Sequence, residues 1–293
     1  MTGFGFLNVD KPAGMTSHDV VAKIRRGLKI KKVGHAGTLD PLATGVLVIC
    51  LGGATRLSEY VMHTTKRYEA RGLLGVTTDT YDAEGEVLLR RDASAVTREQ
   101  VEQALTAFTG DIRQVPPMYS AIKQGGRKLY DLARAGEVVE REARAVQISA
   151  LTVTDWQPPE LTLDVICSAG TYIRSLAYDL GESLGVGAHL TGLRRTASGD
   201  FTLENAVSLA TILETADWAS LVVSPVDALA YLPTVMVDAA ALDHIQHGRS
   251  IPAGADFAPD AIAQGVDESG RLVAILRYAD SHWQPHKVFL SQD

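Results

Sequence analysis

A chain of 293 residues, 46% hydrophobic and with only two cysteines, can bury a sizeable core. That argues against global disorder, a disulfide framework and a cysteine-based zinc cluster. Its 28 basic residues against 35 acidic ones leave a net charge of −7, which speaks mildly against a nucleic-acid partner unless positive charge is gathered locally. No apolar run is long enough to span a bilayer and the N-terminus carries no export pattern, so a cytoplasmic, reducing setting is expected.

In chain order, Thr16-Ser17-His18-Asp19 reads as a capping box, and Val20, Ile24 and Leu28 follow at helical spacing. The helix so defined turns its basic residues outward. Between residues 22 and 35 stand Lys23, Arg25, Arg26, Lys29, Lys31 and Lys32, with no acidic residue among them. Such a patch is either a solvated helix face or a surface for phosphates. It runs directly into Gly34-His35-Ala36-Gly37-Thr38-Leu39-Asp40-Pro41-Leu42-Ala43-Thr44-Gly45-Val46-Leu47, and this continuity favours contact with a nucleic-acid backbone. The loop presents one carboxylate, Asp40, on a frame of glycines and a proline that restricts the residue before it. On its own, Asp-Pro in such a loop is most often a turn.

Residues 46–51 read as a buried strand, 66–75 as another, and 75–85 as a turn-rich connection. Thr97 and Gln100 cap an amphipathic helix that stops near Gly110. Residues 123–144 carry six basic and four acidic residues with Gly125, Gly126 and Gly136, a surface excursion that is expected to move. Leu161, Leu163, Val165 and Cys167 alternate as in a strand. Ile173, Leu176, Leu180 and Leu184 line a helix, with Arg174 off that stripe. From about Tyr231 a small β-rich unit is expected, with strand-like runs at 272–277 and 287–290. It holds four basic and eight acidic residues and four of the eight histidines. Strands and helices mix without a βαβ rhythm, so the class is α+β.

Several of these strings together resemble one family. Asp10-Lys11-Pro12-Ala13-Gly14-Met15-Thr16-Ser17, the Asp40 loop, Lys66-Arg67-Tyr68, residues 75–85 with Asp82, residues 115–121 and 126–133, Cys167-Ser168-Ala169-Gly170-Thr171-Tyr172-Ile173-Arg174 and Leu193-Arg194-Arg195 are similar, in order and spacing, to the motifs of the TruB pseudouridine synthases. The resemblance implies a mixed-sheet catalytic domain over residues 1–230, with an RNA-gripping insertion near 123–144. It also implies a PUA-like C-terminal domain over 231–293, whose acidic balance leaves RNA binding and a structural role both open. It implies isomerisation of uridine 55 in the T-loop of tRNA, with no metal or cofactor, no required protein partner and a monomeric chain.

By the same resemblance Asp40 is the nucleophile, attacking C1′ of the ribose or C6 of the base, and Arg174 holds it ionised and oriented. Tyr68 stacks on the target base and is a candidate proton acceptor for C5, although a free phenol, with a pKa near ~10, is a poor base. Tyr172 lines the pocket, Leu193 closes it, and His35 packs against the flipped nucleotide. Backbone contacts are expected from the 22–35 patch and from Lys123, Arg127 and Lys128. The rival reading is a tRNA-folding chaperone whose isomerase activity is incidental. Ser17-His18-Asp19 resembles a triad only in spelling, because neighbours at a helix start do not converge on a substrate.

Overall fold

The computed structural model describes residues 4–120, 122–137 and 139–289. In chain order the strands are β1 (Gly5–Lys11), β2 (Val33–Ala36), β3 (Thr44–Leu51), β4 (Lys66–Leu74), β5 (Val76–Thr78), β6 (Val87–Arg90), β7 (Gly110–Gln114), β8 (Lys123–Gln124), β9 (Arg127–Lys128), β10 (Arg144–Gln157), β11 (Glu160–Cys167), β12 (Ala188–Ser198), β13 (Phe201–Thr202), β14 (Val207–Ser208), β15 (Thr234–Val237), β16 (Ile251–Pro252), β17 (Ile262–Asp267), β18 (Leu272–Ala279) and β19 (His282–Val288). The α-helices are α1 (Ser17–Gly27), α2 (Ser58–Met62), α3 (Arg98–Leu105), α4 (Leu129–Arg134), α5 (Ile173–Ser183), α6 (Leu209–Glu214), α7 (Pro225–Ala228) and α8 (Ala239–Gln246).

Ten strands form one mixed sheet in the order β14-β1-β3-β12-β4-β11-β10-β7, with β2 added to β3 and β13 to β12. β1 runs parallel to β14 and β12 parallel to β3, while the other pairs are antiparallel. β3 is apolar without alternation because both of its faces are covered. Leu47, Ile49 and Leu51 point into the core formed with α1 and α5. Val46, Val48 and Cys50 point into a second core behind the sheet.

α1 begins as expected. Thr16 Oγ1 accepts from the Asp19 amide at 3.1 Å and Asp19 Oδ2 accepts from the Thr16 amide at 2.9 Å, which satisfies two end groups of the helix. Val20, Val21 and Ile24 are buried against the sheet, so the basic positions face solvent. α3 carries the same box between Thr97 and Gln100.

The C-terminal part forms a five-stranded sheet in the order β15-β17-β18-β19-β16. It has its own core around Ile245, Ala263, Leu276 and Trp283. It is not a detached unit, however: Leu272, Ile275 and Phe289 complete the core behind β3. Arg56 donates to the Val288 carbonyl at 2.8 Å and lies 4.7 Å over the Phe289 ring, and Lys287 pairs with Glu59. This C-terminal sheet therefore shields the back of the ten-stranded sheet. The strand expected over 287–290 begins earlier, at His282, and ends at Val288; Leu290 and Ala121 lie outside the described residues. The connection expected over 75–85 contains β5, which pairs with β6 in a two-stranded sheet.

Candidate active site

Asp40 sits in the short loop between β2 and β3, and both of its neighbours are held. The amide of Leu39 donates to Ser17 Oγ at 2.8 Å, and that hydroxyl donates back to the Leu39 carbonyl at 3.1 Å. The Pro41 carbonyl accepts from the Gly14 amide at 2.9 Å and from Lys11 Nζ at 3.3 Å. Ser17 therefore serves as a fastener of the loop. On the far side, Arg195 Nε donates to the Val46 carbonyl at 2.7 Å, and its other nitrogens reach the carbonyls of Gly37 at 3.1 Å and Thr38 at 3.5 Å. Gly45, at φ +94°, has no room for a side chain: a Cβ there would lie 2.2 Å from the Arg195 carbonyl oxygen. The loop thus presents its acid from a fixed frame.

β12 brings the other parts together. Arg195 lies beside Gly45 of β3 in parallel register and opposite Tyr68 of β4 in antiparallel register. The strand that braces the Asp40 loop therefore carries its arginine on the face of Tyr68. Leu193, two residues earlier, shares that face and is half-buried.

Arg174, in the first turn of α5, is the hub. Its Nε lies 3.0 Å from Asp40 Oδ2 and its Nη1 3.4 Å from Asp82 Oδ2. Its guanidinium also donates to the Thr80 carbonyl at 3.2 Å and the Tyr119 carbonyl at 2.8 Å. The Nε contact is an ion pair without hydrogen-bond alignment, a geometry that commonly tightens when substrate arrives. Side-chain exposure is 6% for Arg174 and 4% for Asp82 but 37% for Asp40. The cation and its second carboxylate are sealed, and only the Asp40 carboxylate opens outward. Arg174 lies off the leucine stripe, yet it is buried, because the face opposite the core is covered by the loops of residues 80 and 119.

Burial pushes the Asp40 pKa above the usual carboxylate range, with the Asp82 charge adding to it; Arg174 and Lys11 pull the other way. Lys11 is itself buried, donates to the carbonyls of Pro12, Met15 and Pro41, and is pushed down to about 8 by burial. The Tyr68 phenol is raised by burial, against the opposing field of Arg195. Tyr172, the N-cap residue of α5, is raised by burial too. Asp40 lies close enough for its charge to act on both phenols. Below Tyr68, Lys66 Nζ donates to Ser198 Oγ at 2.9 Å and Thr64 Oγ1 at 2.8 Å, and burial lowers its pKa to about 7.

His35 stands apart from this group. It lies on β2 with its ring edge-on to His18 at 5.3 Å, and burial lowers its pKa to about 4, so it is neutral at physiological pH. Lys23, Arg25, Arg26, Lys29, Lys31 and Lys32 are all exposed on α1 and on the link to β2, beside the loop. Arg25 also donates to the Val33 carbonyl at 3.2 Å. Arg127 is ion-paired with Glu137 at 2.9 Å on the β8–β9 excursion; the side chains of Lys123 and Lys128 lie outside the described part.

A model described as the TruB family pseudouridylate synthase N-terminal domain matches residues 25–173, and one described as the tRNA pseudouridylate synthase B C-terminal domain matches residues 174–230. The chain belongs to the TruB family. A tRNA pseudouridine synthase B from Cupriavidus metallidurans is 46% identical over 97% of this chain and 93% of its own. Another, from Symbiobacterium thermophilum, is 52% identical over 83% of this chain and 82% of its own. Among solved structures, an H/ACA RNP bound to a substrate RNA containing 2′-deoxyuridine matches with a TM-score of 0.76 at 26% identity, over 100% of this chain and 87% of that one. A Cbf5-Nop10-Gar1 complex matches with a TM-score of 0.77 at 28% identity, over 99% and 86%.

Three charged residues of this TruB site were given no role from sequence. Lys11, Asp82 and Arg195 fall inside the recognised motifs, but nothing in their spelling separates a buried charge from a surface one.

Proposed function

We propose that this chain isomerises uridine 55 in the T-loop of tRNA to pseudouridine, with Asp40 as nucleophile. The observation that carries the assignment is the sealed Arg174 guanidinium holding one outward-facing carboxylate, Asp40, and one buried one, Asp82. The names of the curated relatives support the substrate. The division at residues 230 and 231 into catalytic and PUA-like domains is part of the same reading.

In this mechanism the carboxylate of Asp40 bonds to C1′ as the C1′–N1 bond breaks, or adds to C6 of the base. The detached uracil turns, C5 bonds to C1′, the bond from Asp40 breaks and returns the free carboxylate, the C5 proton leaves to a base, and N1 is protonated. Atoms balance within the nucleotide, so no cofactor or metal enters. Arg174 keeps Asp40 ionised in a site whose burial opposes ionisation. Tyr68 and Tyr172 hold the base between ring faces, Leu193 closes the pocket, and neutral His35 supports the flipped nucleotide. The raised pKa of Tyr68 favours stacking over proton abstraction as its main duty.

Lys23, Arg25, Arg26, Lys29, Lys31 and Lys32, with Lys123, Arg127 and Lys128 of the excursion, hold the T stem-loop through its phosphates. The enzyme acts in the cytoplasm as a monomer without a protein partner. A chaperone alone has no need of a carboxylate held ionised by a sealed arginine, so that reading is not favoured. Release of tritium from tRNA labelled at C5 of uridine tests the assignment: release by the native chain and none by Asp40→Asn is expected, and equal release by both refutes Asp40 as nucleophile.

A further inference from the structure

Gln114 ends β7, is 3% exposed and carries no charge. Its carboxamide makes two bonds to one residue. Nε2 donates to the Tyr172 carbonyl at 2.9 Å, and Oε1 accepts from the Tyr172 amide at 2.7 Å. One side chain thus treats Tyr172 as a neighbouring strand would, fixing its backbone against both shift and rotation. Tyr172 is the N-cap of α5 and has no side-chain cap of its own. Its carbonyl also accepts from the Leu176 amide at 3.1 Å, so it starts the helical turn that carries Arg174. The tie continues along the chain: Ser175 Oγ donates to the Val115 carbonyl at 2.8 Å and Arg174 donates to the Tyr119 carbonyl at 2.8 Å.

We propose that Gln114 is a positioning residue of the isomerisation, setting the Tyr172 backbone and, through the first turn of α5, the guanidinium of Arg174 over Asp40. The proposal rests on the roles assigned above to Asp40 and Arg174. Only a side chain that donates and accepts at once meets both bonds. A carboxylate would face the Tyr172 carbonyl acceptor to acceptor; a protonated carboxyl would again donate and accept.

The test uses the full chain as native protein, Gln114→Glu and Gln114→Met. Single-turnover tritium release from C5-labelled tRNA is followed from pH 5.5 to 8.5, with tRNA affinity and thermal unfolding measured at each pH. Burial raises the introduced carboxyl's pKa. Gln114→Glu is therefore expected to lose about 10²-fold in the chemical step at pH 8.5, the scale of an ångström-sized misplacement, and to recover toward native as pH falls. Gln114→Met stays slow throughout, and its acid limb moves to higher pH because Arg174 steadies Asp40 less well. Affinity for tRNA changes less than about threefold in both, below half of the 1.4 kcal/mol that a tenfold change represents. Native activity with both variants at native rates, or losses that appear only in affinity or only in step with unfolding, overturns the proposal alone. A native chain that releases no tritium overturns the isomerase reading, and this proposal with it.

Discussion

Replacing Arg174 probes the site at its hub. The guanidinium serves two carboxylates, at 3.0 and 3.4 Å, and two carbonyls, at 3.2 and 2.8 Å. A lysine keeps the charge, but its compact ammonium cannot span four partners on different sides. Arg174→Met removes the charge and leaves Asp82 buried without its cation, which costs about 3–5 kcal/mol of stability by the usual measure of a broken buried pair. For the reaction, loss of one charge-assisted contact to Asp40 is worth about 1.5–3 kcal/mol, or roughly 10- to 150-fold in rate. The pH dependence separates this from simple damage. Arg174 pulls the Asp40 pKa down against burial, so its removal raises that pKa further. The ionised fraction at neutral pH falls, and the acid limb of the rate profile moves to higher pH. Single-turnover tritium release between pH 5 and 9 is the assay. The expected order is native, then Arg174→Lys, then Arg174→Met, with partial recovery of the Met variant in alkali. A Met variant with the native rate and the native acid limb refutes the reasoning.

Two further outcomes concern stability. Asp40 has a folded pKa above its unfolded value, so its ionised form opposes folding. That cost is absent below the unfolded pKa and complete above the folded one. Asp40→Asn is therefore expected to melt above the native chain at pH 7 and to lose that advantage in acid; a lower melting temperature at pH 7 contradicts this. Lys66 has its pKa lowered from 10.5 to about 7, so its burial opposes folding fully below about pH 7 and ceases to do so above its unfolded pKa. The shift corresponds to about 5 kcal/mol, and losing the bonds to Ser198 and Thr64 returns about 2–3 kcal/mol of it. In urea unfolding, Lys66→Met is accordingly more stable than native by about 2 kcal/mol at pH 6.5 and less stable at pH 10. A difference that does not vary with pH counts against the charge argument.

The chain's local signals were legible where one residue type has one structural use. Thr16 with Asp19 and Thr97 with Gln100 mark helix starts by a reciprocal bond that spacing alone predicts. The unbroken apolar run of β3 announced burial, although only the fold shows that its second face is covered by Leu272, Ile275 and Phe289 from the far end of the chain. β7, β10 and β12 were not read. β10 alternates weakly because much of it is exposed, and β12 puts arginines where a strand's apolar positions would stand. Those arginines are the point of the strand: Arg195 is 1% exposed and braces the Asp40 loop through carbonyls supplied by residues 149 and 158 positions away. A sequence lists charges but not which carbonyls will surround them. Arg174 shows the same limit, since helical periodicity placed it off the core stripe and could not reveal the loops that bury it.

The proposed mechanism depends on Asp40 as the group that attacks the nucleotide. Its most direct measurement is tritium release from C5-labelled tRNA by the native chain and by Asp40→Asn, with tRNA binding measured beside it. The predicted result is release by the native chain and none by the variant, which still binds tRNA. Release by the variant at the native rate would contradict the account.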